Sequence, residues 1–380
     1  MLSMIPLMKR RLPISSELTS YLSKSESLGQ YTNFGALHNE LRQYIGERYN
    51  ADCDNVAITS SATLALSLCI SHYRQCKGFQ KPFNVVMPSW SFSATAHSAM
   101  FLGSDITFVD TKTDGSIDPD KISSLIDSGF LQKPDLVMPV IPFGQCYKSE
   151  DWEKFSRKEG IPVVIDCAAG FSCAQVSSIP TVISTHATKY FPTGEGGFVL
   201  CSDKNFIASI KAASNFGFVS SRSSMIIGTN AKLSEYHAAI GLAYRDTMLA
   251  NAERTYRRQS QQYFDSLRTT PFVPFGNSID NPVTTFNIRI PDSYSDKALE
   301  SIVGMMVSRH GVEIRPWWQI PLHMQPAFAH CACIGQMENT AALARTVIGV
   351  PIGEHLDTNL IPYIVDSLES AYLEVTRQSC

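Results

Sequence analysis

Short runs that are apolar throughout alternate with stretches of helical periodicity in the first half of the chain. The runs are Asn84-Val85-Val86-Met87, Ile106-Thr107-Phe108-Val109, Leu136-Val137-Met138-Pro139-Val140 and Pro162-Val163-Val164-Ile165. A run with no polar alternation predicts a strand covered on both faces. Helix-compatible stretches lie near 61–74, 92–101, 118–127 and 150–159. Strand–helix alternation predicts a mostly parallel sheet with helices on both sides. In such sheets a ligand sits at the carboxyl ends of the strands, so the residues just after each run are the candidates for chemistry.

The pattern changes later. Ser234 to Leu267 reads as one long helical stretch, and Thr284–Ile290 alternates like a strand with one covered face. Helical segments near 295–309, 340–347 and 358–376 follow. The expectation is a large α/β domain over 1–250 and a smaller α+β domain over 251–380, joined by a long helix. The first 30 residues are expected to pack against one of the two.

Composition narrows the function classes. The 380 residues are 44% hydrophobic and 18% charged, with a net charge of −3. This suits a globular protein and gives no support for a nucleic-acid surface. No apolar stretch is long enough to span a membrane. In Met1-Leu2-Ser3-Met4-Ile5-Pro6-Leu7-Met8-Lys9-Arg10-Arg11 the basic residues follow the apolar ones, the reverse of a secretory signal. The ten cysteines are scattered, which predicts free, mostly buried thiols in a reducing cytoplasm. His330-Cys331-Ala332-Cys333 is the one dense cluster and lacks a second ligand pair at zinc spacing. It reads as a loop or packed thiols, and no metal site is expected.

Three features carry chemistry. Asp166 ends the run Val163-Val164-Ile165, where a carboxylate needs a partner. Lys189 lies between the hydroxyl-rich Ser184-Thr185-His186-Ala187-Thr188 and Gly194-Glu195-Gly196-Gly197; a lysine held in such a pocket can lose its proton and attack a carbonyl. Ser60-Ser61-Ala62-Thr63 opens a helix after Val56-Ala57-Ile58, and helix-start N–H groups with a hydroxyl make a phosphate cradle. Singly these are a strand-end cap, a surface lysine and a helix N-cap. Together they meet the needs of pyridoxal 5′-phosphate, which takes an amine for its aldehyde, a carboxylate for its ring nitrogen and a cradle for its phosphate.

These residues resemble the DegT/DnrJ/StrS nucleotide-sugar aminotransferases, pyridoxal-phosphate enzymes of fold type I. The likeness runs in order along nearly the whole chain. Thr32-Asn33-Phe34-Gly35, Ser61-Ala62-Thr63-Leu64-Ala65-Leu66 and Pro88-Ser89-Trp90-Ser91-Phe92-Ser93-Ala94-Thr95-Ala96 come first. Asp166-Cys167-Ala168-Ala169, Ser184 to Gly197, and Asn230-Ala231-Lys232-Leu233-Ser234-Glu235 with Ala238-Ala239-Ile240-Gly241 follow. Arg315-Pro316-Trp317-Trp318 and Pro321-Leu322-His323 resemble a late substrate loop.

The resemblance implies roles. Lys189 would bind the cofactor as an imine and shuttle protons, Asp166 would pair with the pyridine nitrogen, and Phe92 would stack on the ring. Ala62, Thr63 and Ser184 would hold the phosphate. Asn230 would reach the cofactor phosphate of a neighbouring subunit, implying a homodimer with shared sites. Trp317, Trp318 and His323 would face the substrate. Three positions depart from the family pattern: Ala62 stands for a glycine, Ala169 for a glutamine that bonds the cofactor's ring oxygen, and Lys232 for an arginine. A branch that dehydrates sugars has histidine at the lysine position, and Lys189 sets this chain apart from it.

The implied activity is transfer of an amino group from an amino acid, expected to be L-glutamate, to a keto sugar on a nucleotide, expected to be a dTDP-4-keto-6-deoxyhexose. The cofactor would pass through pyridoxamine 5′-phosphate, and the product would serve amino-sugar biosynthesis, such as that of lipopolysaccharide O-antigen. The alternatives are a UDP-linked keto sugar and a non-catalytic pyridoxal-phosphate-binding regulator. A nicotinamide oxidoreductase would need a G-x-G-x-x-G run after the first strand, which the chain lacks.

Overall fold

The computed structural model describes residues 4–79, 82–292 and 296–379. Seven strands come first: β1 Val56–Thr59, β2 Asn84–Pro88, β3 Asp105–Val109, β4 Leu136–Val137, β5 Ile165–Asp166, β6 Thr181–Ser184 and β7 Gly197–Leu200. Five follow: β8 Val273–Pro274, β9 Phe286–Arg289, β10 Arg315–Pro316, β11 Ala332–Ile334 and β12 Val347–Val350. One set of strands is ordered β1-β7-β6-β5 and another β4-β2-β3-β11. Parallel bridges Val137–Val163 and Val140–Asp166 join the sets edge to edge, continuing the hydrogen-bond ladder from β5 to β4. Only β7 runs against its neighbours. The remaining strands form a separate antiparallel sheet, β10-β12-β9-β8.

The unbroken apolar runs are explained by cover on both faces. Val85 and Met87 point to a core shared with the helices Ala62–Cys76, Ser93–Met100 and Lys204–Ala213. Val86 between them points to the opposite core, with residues of Pro119–Asp127 and Ser149–Glu159. The period of two survives, with both halves apolar. A third core runs from Phe198 and Leu200 through Tyr256 to Phe286 and Ile364, joining the large sheet to the small one.

Several expectations change. The stretch from Ser234 to Leu267 is two helices, Glu235–Thr247 and Leu249–Leu267, broken at the buried Met248 (φ −125°, ψ −35°). β6, which ends at Ser184, is a strand that the apolar runs did not mark. The cluster around Cys331 and Cys333 is not a loop: Ala332–Ile334 adds a parallel edge strand beside β3. The thiols are mixed rather than mostly buried, with Cys69, Cys167 and Cys201 buried, Cys76, Cys146 and Cys333 exposed and three between; Cys380 lies outside the described residues. The first 30 residues touch both sheets' domains. Ile5 pairs with Val312 near the small sheet, while the helix Ser15–Leu28 packs on Glu235–Thr247. Among the described residues no helix is long and apolar enough to cross a membrane.

Two distant motifs meet at one contact. The buried Glu235 carboxylate accepts the Leu37 and His38 N–H groups at 2.7 and 3.1 Å. It thereby caps the helix Ala36–Arg48, whose flanking residue Gly35 has no side chain to do so. A Cβ at Gly35 would lie 2.6 Å from that carboxyl carbon, so the position has no room for a side chain.

Candidate active site

The carboxyl ends of β1, β2, β4, β5 and β6 open on one edge of the large sheet, and the segments after them converge there. Asp166 ends β5 and is only 5% exposed. Its Oδ2 accepts the Thr95 hydroxyl at 2.7 Å, and its Oδ1 accepts the Ala168 N–H at 3.2 Å. Burial pushes the carboxyl above its ordinary pKa, and these two donors and the charge of Lys189 pull it back. Ser91 lies 2.9 Å from the Thr95 hydroxyl oxygen, extending the chain of hydroxyls away from Asp166.

Thr95 comes from the helix that begins after β2, and the same helix start presents Phe92. Phe92 is the capping residue, extended at φ −71°, ψ 143°, and 63% exposed. Phe92 thus leaves an aromatic face open one helical turn from the residue that bonds the Asp166 carboxylate.

Lys189 lies on the turn between β6 and β7 and is partly buried. Burial lowers its pKa, Asp166 opposes that effect, and Arg10 adds to it. The turn is tightly bonded: Ala187 N–H donates to the Gly194 carbonyl at 2.7 Å, and the hydroxyls of Thr185 and Thr193 lie 2.7 Å apart. Ser184 is buried at the end of β6, and its Oγ accepts the His186 N–H at 3.3 Å.

Beside this turn, the helix Ala62–Cys76 starts with Ser61 as its cap, Oγ accepting the Leu64 N–H at 3.2 Å. The N–H groups of its first residues face the sheet edge with no partner inside the helix. β7 presses close: a Cβ on Gly197 would fall 2.5 Å from the Ala62 nitrogen. This explains Gly197, whereas a Cβ on Gly196 would run into the Thr185 and Thr193 hydroxyls of the lysine turn; Ala62 is accommodated as the first helical residue.

The late motif also arrives at this edge. The Leu322 and His323 N–H groups donate to Ser89, to its carbonyl at 2.9 Å and its Oγ at 3.1 Å, and His323 Nδ1 lies 2.6 Å from that Oγ. Burial lowers the His323 pKa. Trp317 and Trp318 are packed more than expected. Trp318 stacks on Phe143 (4.6 Å, 13°) and sits edge-on to the buried Trp90 (4.7 Å). Its φ of 50° is unusual for so large a residue and is held by that cluster. Asn230 is exposed, with a backbone bridge to Asn215, and the carbonyl of the next residue, Ala231, accepts the Ser60 N–H at 2.7 Å.

Sequence reasoning missed three residues. Thr95 and Ser89 were inside a quoted motif without a role. Arg10 had no local signal at all; its guanidinium donates twice to the Thr188 carbonyl, at 3.1 and 2.7 Å, and contacts the Tyr256 hydroxyl.

A sheet edge carrying a buried carboxylate, a lysine of lowered pKa, an open aromatic face and a helix start agrees with known proteins. The profile of the DegT/DnrJ/EryC1/StrS aminotransferase family matches residues 14–369. The chain belongs to that family. It is an aminotransferase of the α/β fold shared by pyridoxal-phosphate enzymes. It is 26% identical over 94% of its length to a dTDP-4-amino-4,6-dideoxy-D-glucose transaminase of Shigella dysenteriae, of which 96% is covered. It is 24% identical over 97% of its length to a UDP-2-acetamido-2-deoxy-3-oxo-D-glucuronate aminotransferase of Pseudomonas aeruginosa, of which 99% is covered. Among solved structures, DesI in the presence of its TDP-sugar product superposes on this aminotransferase with a TM-score of 0.83 at 24% identity, covering 99% of this chain and 95% of that one. That likeness concerns the fold.

Proposed function

We propose that the protein is a pyridoxal-phosphate-dependent aminotransferase that moves an amino group from L-glutamate to a nucleotide-linked keto sugar, a dTDP-4-keto-6-deoxyhexose. The observation that carries the reading is the placement of Asp166 and Lys189 at one sheet edge, the carboxylate held by Thr95 and Ala168 and the lysine on a backbone-bonded turn. The residues present fit the cofactor. Asp166 would face the ring nitrogen, Phe92 would cover one ring face, Lys189 would take the aldehyde, and Ala62, Thr63 and Ser184 would hold the phosphate. When bound, the cofactor supplies an electron sink for the carbon losing its proton.

The protein's own residues do the rest. Thr95 and Ala168 orient the Asp166 carboxylate. Burial keeps the Lys189 amine ready to take and return a proton beside the reacting carbon. His323, fixed on Ser89, and the exposed parts of Trp317 and Trp318 would border the sugar nucleotide. The choice of dTDP follows the Shigella relative, whose name specifies a dTDP sugar. The Pseudomonas relative, named for a UDP sugar, keeps UDP as the second reading.

A shared-site homodimer suits the segment carrying Asn230. Phe216, Val219, Met225 and Ile227 on the same stretch are exposed apolar residues, which mark an association surface. Light scattering that shows only a 42.0 kDa particle would refute the dimer.

The substrate is tested by incubating the cofactor-loaded protein with L-glutamate and a panel of dTDP- and UDP-linked keto sugars, followed by mass spectrometry. The expected result is a dTDP-amino sugar formed faster than any UDP product. Amination confined to UDP sugars would overturn the nucleotide assignment, and amination of none would overturn the sugar assignment.

A further inference from the structure

The N-terminal segment brings a cation under the lysine turn. It is fixed from both sides before it arrives. Ile5 N–H donates to the Gly311 carbonyl at 2.7 Å and Glu313 N–H to the Ile5 carbonyl at 2.9 Å. Leu7 N–H donates to the Glu313 carboxylate at 3.0 Å, and the Pro6 carbonyl lies 2.9 Å from His355 Nε2. Three residues beyond the buried Leu7, Arg10 turns its guanidinium into the Thr188 carbonyl, the last peptide oxygen before Lys189. Thr284 Oγ1 donates to the same oxygen at 3.2 Å.

The polar partners of Arg10 are a carbonyl and the Tyr256 phenol, neither of which cancels its charge. Burial lowers its pKa to about 10, so it is cationic at neutral pH. The groups facing it are Tyr244, Tyr256, Glu354 and His355. Those facing Lys189 are Asp166 and Arg10, with the His186–Glu195 pair (3.6 Å) on the same turn. A carboxylate beside an amine favours the ammonium, the form unable to attack a carbonyl, whereas a neighbouring cation favours the free amine.

We infer that Arg10 is a positioning residue for Lys189, fixing the lysine's turn through the Thr188 carbonyl and bringing a second cation to it in opposition to Asp166. This rests on reading Lys189 as the nucleophile. It gives the N-terminal segment a part in the chemistry that neither its sequence nor its distance along the chain suggests.

The test uses the full chain freed of cofactor. Lys189 is titrated by brief reductive methylation with formaldehyde and cyanoborohydride across a pH series, and the Lys189 peptide is quantified by mass spectrometry. Arg10→Gln should raise the labelling midpoint by about one pH unit, the effect of losing one nearby like charge. Arg10→Lys should restore the wild-type midpoint, which a purely structural role would not require. Arg10→Met, whose flexible side chain can fill the same channel, serves if Arg10→Gln does not fold. A midpoint unmoved in the neutral variants, or moved equally in Arg10→Lys, overturns the inference. Borohydride reduction of the cofactor-loaded protein separates the two claims. Cofactor trapped on Lys189 with an unmoved midpoint sinks Arg10 alone, whereas cofactor trapped on another lysine sinks the reading of Lys189 itself.

Discussion

Asp166 shows how one residue's environment sets both a benefit and a cost. Its carboxyl is raised by burial above the value it has in the unfolded chain. Between those two values the folded protein binds more protons than the unfolded one, so stability falls as pH rises through that window. Above the raised value the cofactor-free protein carries the full cost of a buried charge. Asp166→Asn removes that charge at nearly constant shape. Cofactor-free Asp166→Asn should therefore melt higher than wild type at pH 7, with the difference vanishing below the ordinary carboxylate range. Turnover should fall at least a hundredfold, about 3 kcal/mol in the barrier, because the ring nitrogen loses its counter-charge. A variant that melts lower and turns over normally would make Asp166 a structural cap. At this scale the sequence was readable where a residue's neighbours in the chain are also its neighbours in space. Lys189 stood out because the hydroxyls before it and the glycines after it build its turn. Thr95 reaches Asp166 from 71 positions away, and Arg10 reaches Thr188 from 178, so neither role has a local signature.

Elements were legible when their pattern was unbroken. The strands β2 and β3 and the helices flanking them lie where the apolar runs and the helical periodicity put them. The break at Met248 was not legible, because Arg245-Asp246-Thr247-Met248-Leu249 contains neither Gly nor Pro. There packing of Met248 into the core that joins the two sheets overrides continuous helical propensity. The Glu235–Gly35 contact is likewise tertiary, a carboxylate at one helix's start capping another. Glu235→Ala would leave the Leu37 and His38 N–H groups buried without acceptors, at about 1–3 kcal/mol. Urea unfolding followed by circular dichroism should show the midpoint lowered with the slope unchanged. A loss under about 0.5 kcal/mol would mean that other acceptors replace the carboxylate.

For the whole molecule, the sheet-edge arrangement makes the site a junction of segments distant in sequence. The N-terminal segment and the Leu322–Met324 turn both close on an edge built by β1 through β7, and β11 returns from the C-terminal half to extend the large sheet. Sequence reading recovered the large sheet, and the family resemblance put the late loop at the substrate, but neither the Arg10 contact nor β11 was legible, since pairing between distant segments leaves no periodicity behind. The assembled edge should hold the amino group between its two substrates. That property is tested most directly by adding L-glutamate, without any sugar, to protein saturated with pyridoxal phosphate and freed of excess, and measuring 2-oxoglutarate. The account predicts about one 2-oxoglutarate per bound cofactor and then a halt, with a fresh round once a keto-sugar acceptor is supplied. No 2-oxoglutarate from protein shown to carry the cofactor on Lys189 would contradict the account.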